Sequence, residues 1–160
     1  MAEPQRETSD LLAFRRFLAQ GKPGPHAYVV LLGRKTFGTR ALLKSVEEGL
    51  PFSAFEHLLR NTALPVAELT ELVQIRPRTL SRRKEQGRFE PDESDRLLRA
   101  SRLFAQALEL FEGDLDAARG WLAEAQPALG GAVPLAVART EAGAREVEQL
   151  IGRLEHGVFS

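Results

Sequence analysis

The residues able to do chemistry are few in this chain, and their spacing excludes more than it permits. There is no cysteine, which removes thiolate nucleophiles, disulfides and sulfur-ligated metal sites. The three histidines, His26, His57 and His156, stand far apart in sequence, and none has a metal-ligand partner at helical or zinc-like spacing. No serine occupies a nucleophile elbow of the G-x-S-x-G kind. Gly33-Arg-Lys-Thr-Phe-Gly38 has the glycine spacing of a phosphate loop, but Thr39 stands where that loop needs lysine to reach the terminal phosphates. A helix-entry turn is the better reading. These observations predict a protein without a catalytic site, metal or cofactor.

One cluster does carry a chemical signal. Between Arg76 and Glu90 the chain has six basic residues, Arg76, Arg78, Arg82, Arg83, Lys84 and Arg88, against two acidic ones, Glu85 and Glu90. The local charge is +4 in a chain whose 22 basic and 22 acidic residues otherwise cancel. On charge alone such a run is a solvated helix face. Its surroundings say more. Pro65 suits a helix start, and Val66, Leu69, Leu72 and Val73 form one apolar stripe. Gln74-Ile75-Arg76 interrupts it, Pro77 opens a second helix, and Gly87 ends that helix. Leu80 points back to the first helix, with Arg78, Ser81, Arg82 and Glu85 on the opposite side. Two helices joined by three residues, with cations on the outer face of the second, make a helix-turn-helix over about residues 65–87.

Arginine in a major groove addresses guanine edges, and lysine or arginine at the rim addresses phosphates. The predicted DNA-contacting set is Arg76, Arg78, Thr79, Ser81, Arg82, Arg83, Lys84 and Arg88. Within it Arg78, Ser81 and Arg82 face the bases, with Arg76, Arg83, Lys84 and Arg88 nearer phosphates. Two residues depart from the usual pattern: Gln74 stands where the turn normally has glycine, and Thr70 where the first helix often has a small residue. A left-handed glutamine costs about 1 kcal/mol. Either the turn differs in shape or the helix ends without that conformation.

The remaining elements are helical too. Leu11, Leu12, Phe14, Phe17 and Leu18 fit a short helix, followed by a breaker-rich linker over Gln20–Pro25. Ala27 to Leu32 reads as a strand or a helical turn. Thr39 to Glu48 puts Leu42, Leu43 and Val46 on one face with Gly49 as a stop. Phe52 to Leu59 repeats the pattern, with Ser53 placed as an N-cap three residues before Glu56. Asp92 to Phe111 is the best helix, carrying Leu97, Ser101, Phe104, Leu108 and Phe111 at spacings of four and three. Beyond Gly113, Leu115, Ala118, Trp121 and Leu122 suit a short helix, broken by Pro127–Gly131. Pro134 to Ala138 suits a turn or two. A last helix is capped by Thr140, striped by Val147, Leu150, Ile151 and Leu154, and stopped by Gly157. The fold class is all-α, with six to eight helices.

Met1–Asp10 carries Glu3, Glu7 and Asp10 and no apolar core, unlike a signal peptide. The longest apolar run, Tyr28–Leu32, is far short of the about 20 residues a membrane helix needs. A cytoplasmic protein without membrane association is expected.

Arg78-Thr-Leu-Ser-Arg-Arg83, Glu93-Ser-Asp-Arg96 and the long helix to Phe111 resemble the core of the Xre/MbcA/ParS antitoxin family. The C-terminal match is more specific. Trp121-Leu122, Leu129-Gly-Gly131, Pro134-Leu135, Thr140-Glu-Ala-Gly143, Val147 and Arg153-Leu-Glu-His-Gly157-Val158 follow that family's toxin-binding module in order. The resemblance covers about Leu43 to Ser160 and leaves the first 25 or so residues outside. It implies an antitoxin of a type II toxin–antitoxin pair. The implied partner is a RES-domain toxin that depletes NAD, neutralised by direct binding, and the implied DNA target is the operator of the pair's own operon. A stand-alone helix-turn-helix repressor, or a protein-binding adaptor without a toxin partner, is the competing reading.

Within the module, Trp121, Leu129, Val147, Leu150, Ile151 and Leu154 read as core, and Gly130, Gly131 and Gly143 as backbone-geometry positions. Arg153, Glu155, His156, Val158 and Phe159 remain as the predicted toxin-binding residues. The expected organisation is an N-terminal extension at 1–26, partly flexible, a helical region at 27–111 and a toxin-binding domain at 112–160. A homodimer is expected through Leu42, Leu43, Val46 and Phe52, because symmetric pairs read two half-sites.

Overall fold

The computed structural model describes residues 27–34 and 39–157. The expectations for the first helix, for the 20–25 linker and for His26 lie outside them. The described residues form nine α-helices and one 3-10 turn. In chain order they are α1 (Ala27–Leu31), α2 (Thr39–Glu48), α3 (Phe52–Thr62), α4 (Val66–Val73), α5 (Pro77–Gln86), α6 (Pro91–Leu110), α7 (Leu115–Ala123), the 3-10 turn (Pro127–Leu129), α8 (Pro134–Val137) and α9 (Glu141–Glu155). The fold class is all-α. The count exceeds the expected six to eight because α1 and α8, of five and four residues, stand as separate elements.

The centre is α6. Its Leu97, Leu103, Phe104, Ala107 and Leu108 are all essentially inaccessible to solvent. Helices α1, α2, α3 and α4 pack on it from one part of the chain, and α7 and α9 from the other. Its start follows from local chemistry: Pro91 occupies the first turn, and Glu90 and Glu93 form a reciprocal capping box, each side chain accepting from the other's backbone N–H. One apolar core therefore runs from Val29 to Ile151.

Ala27–Leu31 forms a helix rather than a strand, and buried Asn61 donates to the Leu31 carbonyl at 3.0 Å, satisfying its C-terminal end. Gly33 closes this helix with a φ of +69° instead of opening the next one. A Cβ there would run into the His57 ring. The rest of the phosphate-loop look-alike, 35–38, lies outside the described residues.

The expected Ser53 cap is not formed. Helix α3 begins two residues earlier than that cap would start it, with Pro51 in the cap position and no side-chain cap. Backbone pairing with a distant segment fixes this entry: Phe89 N–H donates to the Leu50 carbonyl, and Phe52 N–H to the Gly87 carbonyl, both at 2.9 Å. Phe52 then stacks on Phe89 at 5.4 Å between ring centres. That contact, with buried Leu42 and half-buried Val46, corrects the expected dimer surface. Of its four residues Leu42 is buried, Val46 and Phe52 are half-buried, and Leu43, 55% exposed, is the one largely open to solvent. Among the described residues no helix is long and apolar enough to cross a membrane.

Candidate nucleic-acid interface and partner surface

Helix α4 ends in a left-handed residue: Gln74 has φ 53° and ψ 46°. The cost of that conformation in a residue with a Cβ is offset locally. The Gln74 N–H bonds back to Glu71 and Thr70, the Ile75 N–H donates to the Thr70 carbonyl at 3.1 Å, and Ile75 is buried against the core. The usual helix-turn-helix turn is thus made without its usual glycine. Pro77 then opens α5, and Gly87, at φ 78°, closes it.

The outward side of α5 carries what the sequence placed there. Arg78, Ser81, Arg82, Lys84 and Glu85 are exposed, as is Arg76 just before the helix, while Thr79 and Leu80 are half-buried. Arg78 and Arg82, four residues apart, share one exposed face of the helix, and Arg76 is exposed at its N-cap. The N-terminal half is the one that meets base edges when such a helix enters a major groove. Arg88 stands beyond the helix stop and donates from Nη1 to the Glu48 carbonyl at 3.1 Å, which ties it to the end of α2.

Arg83 corrects the expected phosphate-contacting set. It turns inward and is 9% exposed. Its Nε and Nη2 bond the two Glu93 carboxylate oxygens at 2.6 and 3.1 Å, and its Nη1 bonds the Gln86 side chain at 3.0 Å. The reason is register: Arg83 lies three residues after Leu80, on the side of α5 that packs inward. The Glu93 hydrogen bonds raise the Arg83 pKa above its ordinary value against the opposing effect of burial. Burial pushes the Glu93 carboxyl up, but the Arg83 hydrogen bonds and charge, with the Glu90 N–H, hold it below the ordinary carboxylate range. Both partners stay ionised. Asp92 is likewise lowered: burial opposes ionisation, and the Arg96 hydrogen bond and charge, together with backbone N–H bonds at the helix start, outweigh it.

The C-terminal elements are built by caps and close approaches. Asp114 accepts from the Ala117 N–H to start α7. Trp121, half-buried, lies 6.5 Å from the Phe111 ring. Gln126 pairs with Ala132 around the 3-10 turn, with Gly130 and Gly131 both at positive φ. Thr140 caps α9 by accepting from the Gly143 N–H at 3.0 Å. Gly143 sits so close to the Val137 carbonyl that no side chain fits. Val147, Leu150 and Ile151 are buried as expected, whereas Trp121, Leu129 and Leu154 are only half-covered.

At the end of α9, Glu155 and His156 are exposed and Arg153 is half-exposed. Gln149, Gly152, Arg153 and His156 border a shallow, mainly apolar hollow of about 350 Å³. Val158 and Phe159 lie outside the described residues. A second hollow of about 330 Å³ opens between α6 and α9, where Asp95, Arg99 and Arg102 face Glu141, Arg145 and Glu148. Sequence reasoning missed it because its two halves are about fifty positions apart and each alone reads as a solvated helix face. Among the described residues no group of acidic or histidine side chains is arranged to hold a metal.

Comparison with known proteins follows the same division. Residues 41–102 match a family model described as the antitoxin Xre-like helix-turn-helix domain. Residues 106–157 match one described as the antitoxin Xre/MbcA/ParS C-terminal toxin-binding domain. The chain is similar to a protein named Antitoxin Xre from Yersinia enterocolitica serotype O:8 / biotype 1B, with 39% identity over 120 residues, 74% of this chain and 81% of the relative. It is also similar to an Antitoxin Xre from Photorhabdus laumondii subsp. laumondii, with 35% identity over 116 residues, 72% of this chain and 78% of the relative.

Proposed function

Because the chain belongs to the Xre antitoxin family and carries both its helix-turn-helix and its toxin-binding domain, we propose that it neutralises a RES-domain, NAD-depleting toxin and represses the operon encoding the pair. The observation that carries the DNA half of this reading is the exposure of Arg78 and Arg82 on α5 and of Arg76 at its cap, none of them in an ion pair among the described residues. In this reading Arg78, Ser81 and Arg82 read bases, with Thr79 beside them, and Arg76, Lys84 and Arg88 hold phosphates. A single helix-turn-helix offers one half-site's contacts, so the operator-bound form is a homodimer. Light scattering with and without operator DNA tests this, and a monomer in both conditions refutes it.

The toxin half rests on the family likeness and on the exposed last turn of α9. An enzyme that consumes NAD binds an anionic pyrophosphate, so its cleft needs basic and polar groups. Arg153, Glu155 and His156, followed by Val158 and Phe159, supply polar rim contacts and an apolar anchor beside that cleft. The experiment is co-expression with the RES-type toxin, scored by growth and cellular NAD. A chain truncated after Glu155 is expected to fold and bind DNA but to leave cells unprotected. Protection at equal abundance would move the inhibitory surface elsewhere on 115–153.

A further inference from the structure

The segment Glu93-Ser-Asp-Arg96 drew notice in the sequence without receiving a role. In the fold it is the place where three separate parts of the DNA-binding unit are held. Glu93 reaches α5 through its two-pronged bond to Arg83, and Glu93 Oε1 also accepts from the Glu90 N–H at 2.8 Å. Arg96, three residues on, reaches α4: its Nε donates to the Val73 carbonyl at 2.7 Å, and its Nη1 bonds Asp92 at 3.2 Å. Between them, buried Ser94 accepts from the Leu50 N–H at 2.7 Å, ahead of α3. The final carbonyl of the first helix-turn-helix helix and the last turn of the second are therefore both tied to the first two turns of α6.

We propose that Arg83, Glu93 and Arg96 are positioning residues for DNA recognition, clamping α4 and α5 to α6 and so setting the angle at which Arg78 and Arg82 meet a base pair. The proposal rests on the DNA-binding reading above. Stability gives no adequate reason for such a pair, since well-packed apolar side chains often replace a buried ion pair at no loss. Direction is what the pair adds. A guanidinium–carboxylate fork holds two parallel bonds in one plane, which an apolar contact does not. Arg78 lies five residues from Arg83, about 7.5 Å along the helix. A swing of about 10° about the clamp moves its backbone by roughly 1.3 Å, more than the roughly 0.5 Å spread of a good hydrogen bond. Base readout is sensitive to that movement, whereas attraction to phosphate in general is not.

The test uses the full chain and three variants: Arg83→Met with Glu93→Leu, Arg96→Met alone, and Arg83→Lys. Each is titrated by fluorescence anisotropy against a duplex from its own promoter and an unrelated duplex, at several salt concentrations, beside a thermal melt. The first two variants are expected to keep the parent's affinity and salt slope on unrelated DNA while losing at least about tenfold in promoter preference. Arg83→Lys, with its charge kept and one bond lost, is expected to fall between. Unchanged preference in the folded variants overturns the proposal. So does a salt slope that drops by about one unit on losing Arg83, since that marks a direct phosphate contact. If the double variant fails to fold, Arg96→Met decides alone, because its side chain is 23% exposed and its removal leaves the ion pair in place. A parent with no promoter preference sinks the DNA-binding reading and the clamp together; a parent with preference beside unaffected variants sinks the clamp alone.

Discussion

Replacing Gly143 by alanine asks α9 to occupy space that α8 already holds. An added Cβ would overlap the Val137 carbonyl oxygen and stand 2.8 Å from its carbon and 3.0 Å from the Thr140 hydroxyl that caps the helix. Both the carbonyl and the cap belong to the tight α8–α9 connection, so neither has a flexible end to swing aside. Overpacking of this kind costs about 1–3 kcal/mol. Alanine's better helix propensity returns up to about 1 kcal/mol. The net expectation is a loss of about 1–2 kcal/mol, or roughly 2–8 °C in melting temperature for a chain of this size. Gly152, nine residues later on the same helix, supplies the control, because nothing lies within 4 Å of its added Cβ. Gly152→Ala is expected to gain up to about 1 kcal/mol, a rise of roughly 2–4 °C. Both are read by circular-dichroism melts and urea titration of the purified chains. A Gly143→Ala protein that melts at or above the parent, or two alanines that shift stability alike, would refute the packing argument.

Arg82→Ala is expected to weaken promoter binding by about 1–3 kcal/mol in gel shifts; unchanged affinity at every salt concentration removes Arg82 from the interface. Acid should act through Glu93. Its folded pKa lies below the ordinary 4.5, so its contribution is complete above that value and is lost as pH falls through the lowered folded value. Urea midpoints should therefore hold from pH 7 to about pH 5 and fall below it, with the fall flattened in Glu93→Gln. A parent midpoint that stays constant into that acid range contradicts the assignment. Phe104→Ala, at a position with no exposed surface in the middle of α6, should cost about 3–5 kcal/mol in the same titration.

What the sequence disclosed was what neighbours along the chain decide. The stripe of α6, the Pro77 start, the Gly87 stop and the Thr140 cap each depend on residues within one or two turns, and each stands as read. Ser53 misled because its helix entry is governed by backbone bonds to residues 87–89, more than thirty positions away. Arg83 misled for a similar reason. Six cations in a short run look alike until Glu93 is seen across from one of them. The signal that separates Arg83 was its spacing of three from Leu80, which puts it on the inward stripe. Gln74 alone carries only its conformational cost, whereas the turn is fixed by burial of the next residue, Ile75.

The helix-turn-helix model ends at 102 and the toxin-binding model begins at 106, and both positions fall inside the unbroken helix α6. There is no hinge at this seam. Each residue of an α-helix advances the chain by 1.5 Å and turns it by about 100°. One residue inserted at the seam would therefore spin the toxin-facing side a quarter-turn or more around the axis relative to the DNA-facing side. The azimuth of the toxin-binding domain relative to the helix-turn-helix is thus a count of residues. Chimaeras that exchange the two halves between relatives must preserve that count, or its near-repeat of seven, to keep both faces aimed as they are here.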